Sequence, residues 1–276
     1  RSDSRSSITE PALVGRAAEL ERLNEALDMA RVGCSQIATV SCPSGVGKSR
    51  LVHELLRNAT HKGIAIYRGM ATNQAGQLPM SPLLDIVRQF AMNVTISSSQ
   101  QTRLHQELAD YREEISIVLP EFAKELGWHT RKLIGPDELG ASRVNQAMVN
   151  VLMRIGSEQS PALIWIDDCQ WLDPRSLDIL QLIQSSRLNH TAMVLSMRPN
   201  EGVSSAVFER VAVKTRIALQ PLDSKEVRAL VESMAGILPE IAIETIIKLS
   251  AGSPFMASAI LRGMVESGAL ATHHNG

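Results

Sequence analysis

Aromatic residues are scarce in this chain of 276 residues: three Trp, two Tyr and four Phe make up 3% of a sequence that is 44% apolar. Its core must therefore be largely aliphatic, the composition of parallel sheets sheathed by helices. Cysteine is equally sparse. Cys34, Cys42 and Cys169 have neither zinc-ligand spacing nor the numbers for a disulfide framework, which points to a reducing cytoplasm. Charge of one sign is missing too: 28 basic and 29 acidic side chains leave a net charge of −1. That balance lacks the basic footprint of a nucleic-acid domain, so no direct DNA binding is expected of these residues. No apolar run approaches the ~20 residues of a membrane span. The polar opening RSDSRSSITE is not a signal peptide and reads as a linker cut from something longer. No repeat of 20 to 50 residues is visible, and the length suits one domain plus a smaller one.

What is present begins at residues 36–56, QIATVSCPSGVGKSRLVHELL. A short β-branched and apolar run, Ile37 to Val40, is followed by a turn of small residues and then by apolar positions Leu51, Val52, Leu55, Leu56 and Ala59. That is strand, tight loop, helix. Residues 42–49 match the phosphate-cradling pattern G-x-x-x-x-G-K-[ST] at every fixed position except the first, where Cys42 replaces glycine. The amides of Ser44, Gly45, Val46, Gly47, Lys48 and Ser49 would converge at a helix start, where unpaired donors and the macrodipole attract a polyphosphate. Lys48 would reach the β- and γ-phosphates, the Ser49 hydroxyl would ligate Mg2+, and Arg50 joins the same candidate set. A Cβ at position 42 predicts a strained or altered turn into the loop.

Ahead of this element, Leu13-Val14-Gly15-Arg16 closes the polar opening and a helix follows on Leu20, Leu23 and Leu27. A second strand is predicted over Ile64–Arg68. From Met70 to about Gly140 the pattern loosens into an inserted helical layer, whose first helix takes Ser81 as N-cap and Pro82 as its first helical position, with two or three further short helices over 98–132. Tyr111, His105, Trp128 and His129 in this stretch read as packing or surface. Residues 143–155 form an amphipathic helix, with Met148 filling core. Then comes ALIWIDD, an apolar strand ending in Asp167 and Asp168. Carboxylates at the carboxyl end of a buried strand stand where open α/β sheets bind ligands. Asp173-Pro174 opens the next helix, Ala192–Ser196 is a fourth strand closed by Met197-Arg198-Pro199, and Ile217–Leu219 a fifth. After Pro221 only helices follow, over about 223–234, 239–249 and 254–268. Asp223-x-x-Glu226 is a near capping box at the first of them.

Phosphoanhydride hydrolysis on such a loop needs an acid for the metal, a group to orient water, and positive charge near the γ-phosphate. Asp167 is the metal candidate, Asp168 the water-orienting base and Arg198 the γ-phosphate sensor. Aspartate is one methylene shorter than the glutamate common in this chemistry, which predicts slow turnover.

LVGR at 13–16, CPSGVGKSRL, PMSPLLDIVRQF, ALIWIDDCQWLDPRSLDIL, SMRP, LQPLDSKEV and AGSPFMASAILRGMVESGAL, taken in order, resemble the ATPase module of the signal-transduction ATPases with numerous domains (STAND). The nearest branch is that of large LuxR-type transcription regulators and some bacterial kinases and nucleotide cyclases. The resemblance covers about 13–270. It implies an α/β P-loop NTPase of the AAA-like (ASCE) type, with a five-stranded parallel sheet of order 5-1-4-3-2 and a small C-terminal helical lid. The division would be a linker at 1–12, a nucleotide-binding domain at 13–220 with its insertion at about 70–140, a lid at 221–270 and a tail at 271–276. It further implies that Val14, Gly15 and Arg16 contact adenine and ribose, that Pro254 touches the base from the lid, and that further domains follow. The implied cofactors are ATP or ADP and Mg2+. The implied partners are the chain's own neighbouring domains and, with nucleotide, other copies of itself.

Three functions compete at this stage. One is a slow ATPase switch within a larger regulator, in which ATP clamps core to lid. Another is a non-hydrolysing nucleotide-bound scaffold for protein assembly, towards which Cys42 and Asp168 lean. The last is a DNA-associated AAA+ initiator or helper, which the neutral charge disfavours.

Overall fold

A computed structural model describes residues 9–74, 78–93, 98–128, 137–186 and 188–270. His129, the C-terminal tail and most of the opening linker lie outside the described residues. The chain divides into two compact units, one of Arg22–Ser41 with Leu56–Ile217, the other of the chain up to Glu21, Cys42–Leu55 and the chain from Ala218.

The larger unit is built on a sheet of five strands, β1 (Gln36–Ser41), β2 (Ala65–Met70), β3 (Ala162–Asp167), β4 (Thr191–Met197) and β5 (Thr215–Ala218), in the order β2-β3-β4-β1-β5. This is the expected order 5-1-4-3-2 read from the other edge. The β1–β4, β3–β4 and β2–β3 pairings are all parallel. Every residue of β4, and all of β3 except Asp167, is buried, which is why these segments read as unbroken apolar runs. β2 stands at an edge, and a strand edge leaves amides unpaired. Here α3 (Ser81–Asn93) covers it: the Gln89 side chain accepts from the Arg68 N–H at 2.9 Å and donates to the Arg68 carbonyl at 2.6 Å.

Gly69 of β2 sits directly under this helix, and a Cβ there would come within 2.5 Å of the Pro82 carbonyl oxygen. Because the obstacle is main chain, it cannot rotate away. Gly69→Ala is expected to cost about 1–3 kcal/mol by overpacking. In urea this reads as a lower unfolding midpoint at unchanged slope.

The helical layer follows as α3, α4 (Ser98–Glu107), α5 (Arg112–Val118), α6 (Pro120–Glu125) and α7 (Asp137–Leu152). The few aromatics concentrate here: Tyr67 meets Phe90 edge to face with centroids 5.9 Å apart, and Phe90 meets Phe122 at 5.9 Å. Trp128 is buried and donates to His105, as its packing role predicts. Glu107 accepts from Arg103 at 2.7 Å and from Arg154 at 2.8 Å, joining the end of α4 to the segment after α7. The hydrogen bond from Arg103 leads in holding its carboxyl below the usual range. Two helices follow in this unit: α8 (Pro174–Ser186), capped by Asp173 accepting from the Arg175 and Ser176 amides at 3.1 Å each, and α9 (Ser204–Arg210).

The structure corrects three local expectations. α9 was not anticipated, its only apolar signal being a short Ala-Val-Phe run. β5 begins two residues earlier than expected, at Thr215. The first helix of the layer opens at Ser81 itself, with Pro82 in its first turn and the preceding Met80 at a φ of 63°.

In the smaller unit, α10 (Ser224–Ala235), α11 (Glu240–Ser250) and α12 (Pro254–Glu266) enclose a cluster that includes Val227, Val231, Ile246 and Leu261, against which Val14 packs. The capping box is complete: Asp223 accepts from the Glu226 N–H and Glu226 from the Asp223 N–H, each at 2.8 Å. Two helices, α1 (Ala17–Arg31) and α2 (Lys48–His61), run from the smaller unit into the larger. No helix among the described residues is long and apolar enough to cross a membrane.

Candidate functional site

In the smaller unit the loop 42–47 leads into α2, whose first turn carries no acidic side chain. Only Gly45 and Gly47 require glycine, with φ of 82° and 107°. Cys42 is buried and has no positive φ, so the anticipated strain at the substituted position is absent. The physical reason is that a Cβ is penalised only where φ is positive, and in this loop those positions are Gly45 and Gly47.

The loop's carbonyls are tied back. Ser253 Oγ donates to the Gly45 carbonyl at 3.0 Å and the Phe255 N–H donates to the same oxygen at 3.3 Å. Arg16, buried, donates to the Val46 carbonyl at 3.5 Å, to the Gln220 carbonyl, and to Glu19 at 3.3 Å. A planar trans peptide holds its C=O and the following N–H antiparallel. Anchoring the carbonyls of Gly45 and Val46 therefore turns the amides of Val46 and Gly47 to the opposite side. Among the described residues, the amides of Ser44, Gly45, Val46 and Gly47 have no hydrogen-bond acceptor. Unpaired main-chain donors at a helix N-terminus fit a polyphosphate.

The other nucleotide candidates fall around this loop. Val14 joins the lid cluster, Gly15 passes beside the Glu226 side chain, and Pro254 lies beside Gly47. Ser44 and Ser49 are exposed, Lys48 is half-buried, and Arg50 pairs with Glu10 at 3.6 Å.

In the larger unit the parallel registers bring strand ends to one edge, with Ser41 opposite Met197 and Ile166 opposite Leu195. Asp167 closes β3. Its Oδ1 accepts from the Asp168 N–H at 2.9 Å and from Ser196 Oγ, and Ser196 Oγ in turn accepts from Trp165 Nε1 at 2.9 Å. Asp168 is left-handed, at φ 52° and ψ 41°, and its Oδ1 accepts from Gln170 Nε2 at 2.9 Å. Arg198 follows β4. Its N–H donates to Gln170 Oε1 at 3.0 Å and its guanidinium stands 3.6 Å from Glu201.

Among the described residues there is no group of three or more His, Cys, Asp or Glu placed to hold a metal. Trp165, Ser196, Gln170, Gln220 and Ser253 were not singled out from sequence. Each earns its place by a contact distant along the chain, and no local spacing announces it.

Residues 12–194 match the family model described as AAA ATPase domain. An uncharacterized protein of Rhizobium meliloti, R02095, is 24% identical over 266 residues, which span 92% of this chain and 25% of that protein. Hybrid signal transduction histidine kinase G of Dictyostelium discoideum is 25% identical over 180 residues, 63% of this chain and 5% of that protein. The chain thus spans a quarter or less of the length of either relative. Among solved structures, the Aeropyrum pernix Orc1 protein in complex with DNA shares the fold at a TM-score of 0.55 and 16% identity, over 96% of this chain and 64% of that one.

Proposed function

The chain belongs to the AAA ATPase domain family, and from that premise we propose that it is the ATP-binding, slowly hydrolysing switch of a larger signal-transduction protein of the STAND kind, with a regulatory output set by its attached domains. The observation that carries the reading is the loop in which the Gly45 and Val46 carbonyls are anchored while four successive amides have no acceptor among the described residues, just before α2. Such a loop is built to bind an anion.

Lys48 would place its ammonium on the β- and γ-phosphates, the Ser49 hydroxyl and Asp167 would hold Mg2+, and Val14, Gly15, Arg16 and Pro254 would flank the nucleoside. Bound Mg2+ supplies neutralisation of charge on the phosphate oxygens. Asp167 keeps its carboxylate oriented through Ser196 and the Asp168 amide. Asp168 would accept the proton of the attacking water, and Arg198 would meet charge on the γ-phosphate. The motif series from LVGR to AGSPF supports the STAND assignment, and the likeness to a signal-transduction histidine kinase agrees with it. A LuxR-type transcriptional output rests on the motif series alone.

The test is titration of the chain with Mg-ATP, with phosphate release followed in parallel. One nucleotide per chain is expected, with turnover well below the ~10 s⁻¹ typical of enzymes. Stoichiometric binding without phosphate release favours the scaffold reading. No binding overturns both. Tight, salt-sensitive association with duplex DNA points instead to an initiator-like role.

A further inference from the structure

Gln170 is 1% exposed, in the single turn between β3 and α8, and every polar group of its side chain is used on the candidate machinery. Its Oε1 accepts from the Arg198 N–H and its Nε2 donates to Asp168 Oδ1. The orientation of the amide is not a free choice. A main-chain N–H can only donate, so the side-chain oxygen must face Arg198 and the NH₂ must face the Asp168 carboxylate. A neutral residue with a donor and an acceptor at its tip is therefore required. Glutamate in the same place would set a second carboxylate against Asp168, and an aliphatic residue would take from the part-buried Arg198 amide the acceptor it has here.

The main chain of the same residue is fixed as well. The Gln170 carbonyl accepts from the Val203 N–H at 2.9 Å, and Gly202, at φ 50°, passes so close that a Cβ would stand 1.9 Å from that oxygen. The segment after β4 is thereby bound to the turn after β3 at both the side chain and the backbone of one residue.

We propose that Gln170 is the positioning residue of the hydrolytic step, holding the Asp168 carboxylate and the start of the Arg198 segment in one fixed relation. The inference rests on the ATPase reading above. Gln170 need touch neither nucleotide nor metal, because its effect passes through Asp168 and Arg198. A side chain that only fills space would be replaceable by methionine, which is also unbranched and of similar volume. A positioning amide would not.

The experiment compares wild type, Gln170→Met and Gly202→Ala in steady-state Mg-ATP hydrolysis, equilibrium binding of ATP and thermal unfolding. Removing an orienting hydrogen-bond partner of a catalytic ligand costs about 10- to 100-fold. Gln170→Met is expected to lower kcat by that factor with the dissociation constant for ATP within about threefold of wild type, since the phosphate loop is untouched. Gly202→Ala leaves the amide in the sequence but displaces its carbonyl, and the same split is expected. A Gln170→Met protein that folds and keeps wild-type kcat overturns the proposal, as does a loss shared equally between kcat and ATP affinity. If Gln170→Met does not fold, Gly202→Ala decides on the same two readings. Wild type that releases no phosphate overturns the hydrolytic reading itself, and this outcome is distinct from a hydrolysing wild type with an indifferent Gln170.

Discussion

Lys48→Ala is expected to weaken ATP binding by about 10- to 100-fold and to abolish measurable hydrolysis. The binding loss follows from removing charge-assisted hydrogen bonds to phosphate, worth about 1.5–3 kcal/mol. Lys48 is the first residue of α2, where the helix dipole is positive and disfavours a cation but favours a bound anion. Isothermal titration and thermal unfolding with and without ATP measure the loss. The wild type should gain stability from ATP and the variant should gain little. Unchanged affinity in Lys48→Ala would remove the basis of the nucleotide reading.

The parts of this molecule that were legible in the sequence are those whose causes are local. The strand-loop-helix at 36–56, the buried strand ending in Asp167 and the capping box at Asp223 and Glu226 all depend on neighbours within a few residues, and all stand where expected. The sheet order came with the resemblance, since strand order is fixed by crossovers that no window of residues contains. Cys42 shows how a local rule misleads. Comparison with a glycine pattern suggests strain, yet the positions that need a positive φ are Gly45 and Gly47. Arg16 shows the opposite failure. Nothing around it announces that its guanidinium will reach the carbonyls of Val46 and Gln220, 30 and 204 residues away. Gln170 was equally silent, because its acceptor duty is to the Arg198 amide just after β4, 28 residues away. Polar residues that serve by satisfying distant backbone groups carry no periodicity.

Asp168→Asn is expected to reduce hydrolysis by about 10²- to 10⁴-fold, the contribution of a general base, with ATP affinity close to wild type. Asparagine is the informative substitution because of the backbone. Asp168 occupies the left-handed region at φ 52°, which Asn and Asp tolerate better than other residues with a Cβ. Alanine there would mix a loss of charge with conformational cost, whereas asparagine keeps the backbone preference and still offers an Oδ1 to Gln170 Nε2. What it removes is the ability to take a proton from water. Asp168→Gly provides the converse control. It relieves the left-handed constraint while leaving Gln170 Nε2 without its acceptor, and it too should be inactive. If Asp168→Asn hydrolyses ATP at the wild-type rate, the base lies elsewhere and the Asp167–Asp168 pair serves only to shape the turn after β3. If both variants bind ATP normally and neither turns it over, the carboxylate held by Gln170 is the group that sets the rate.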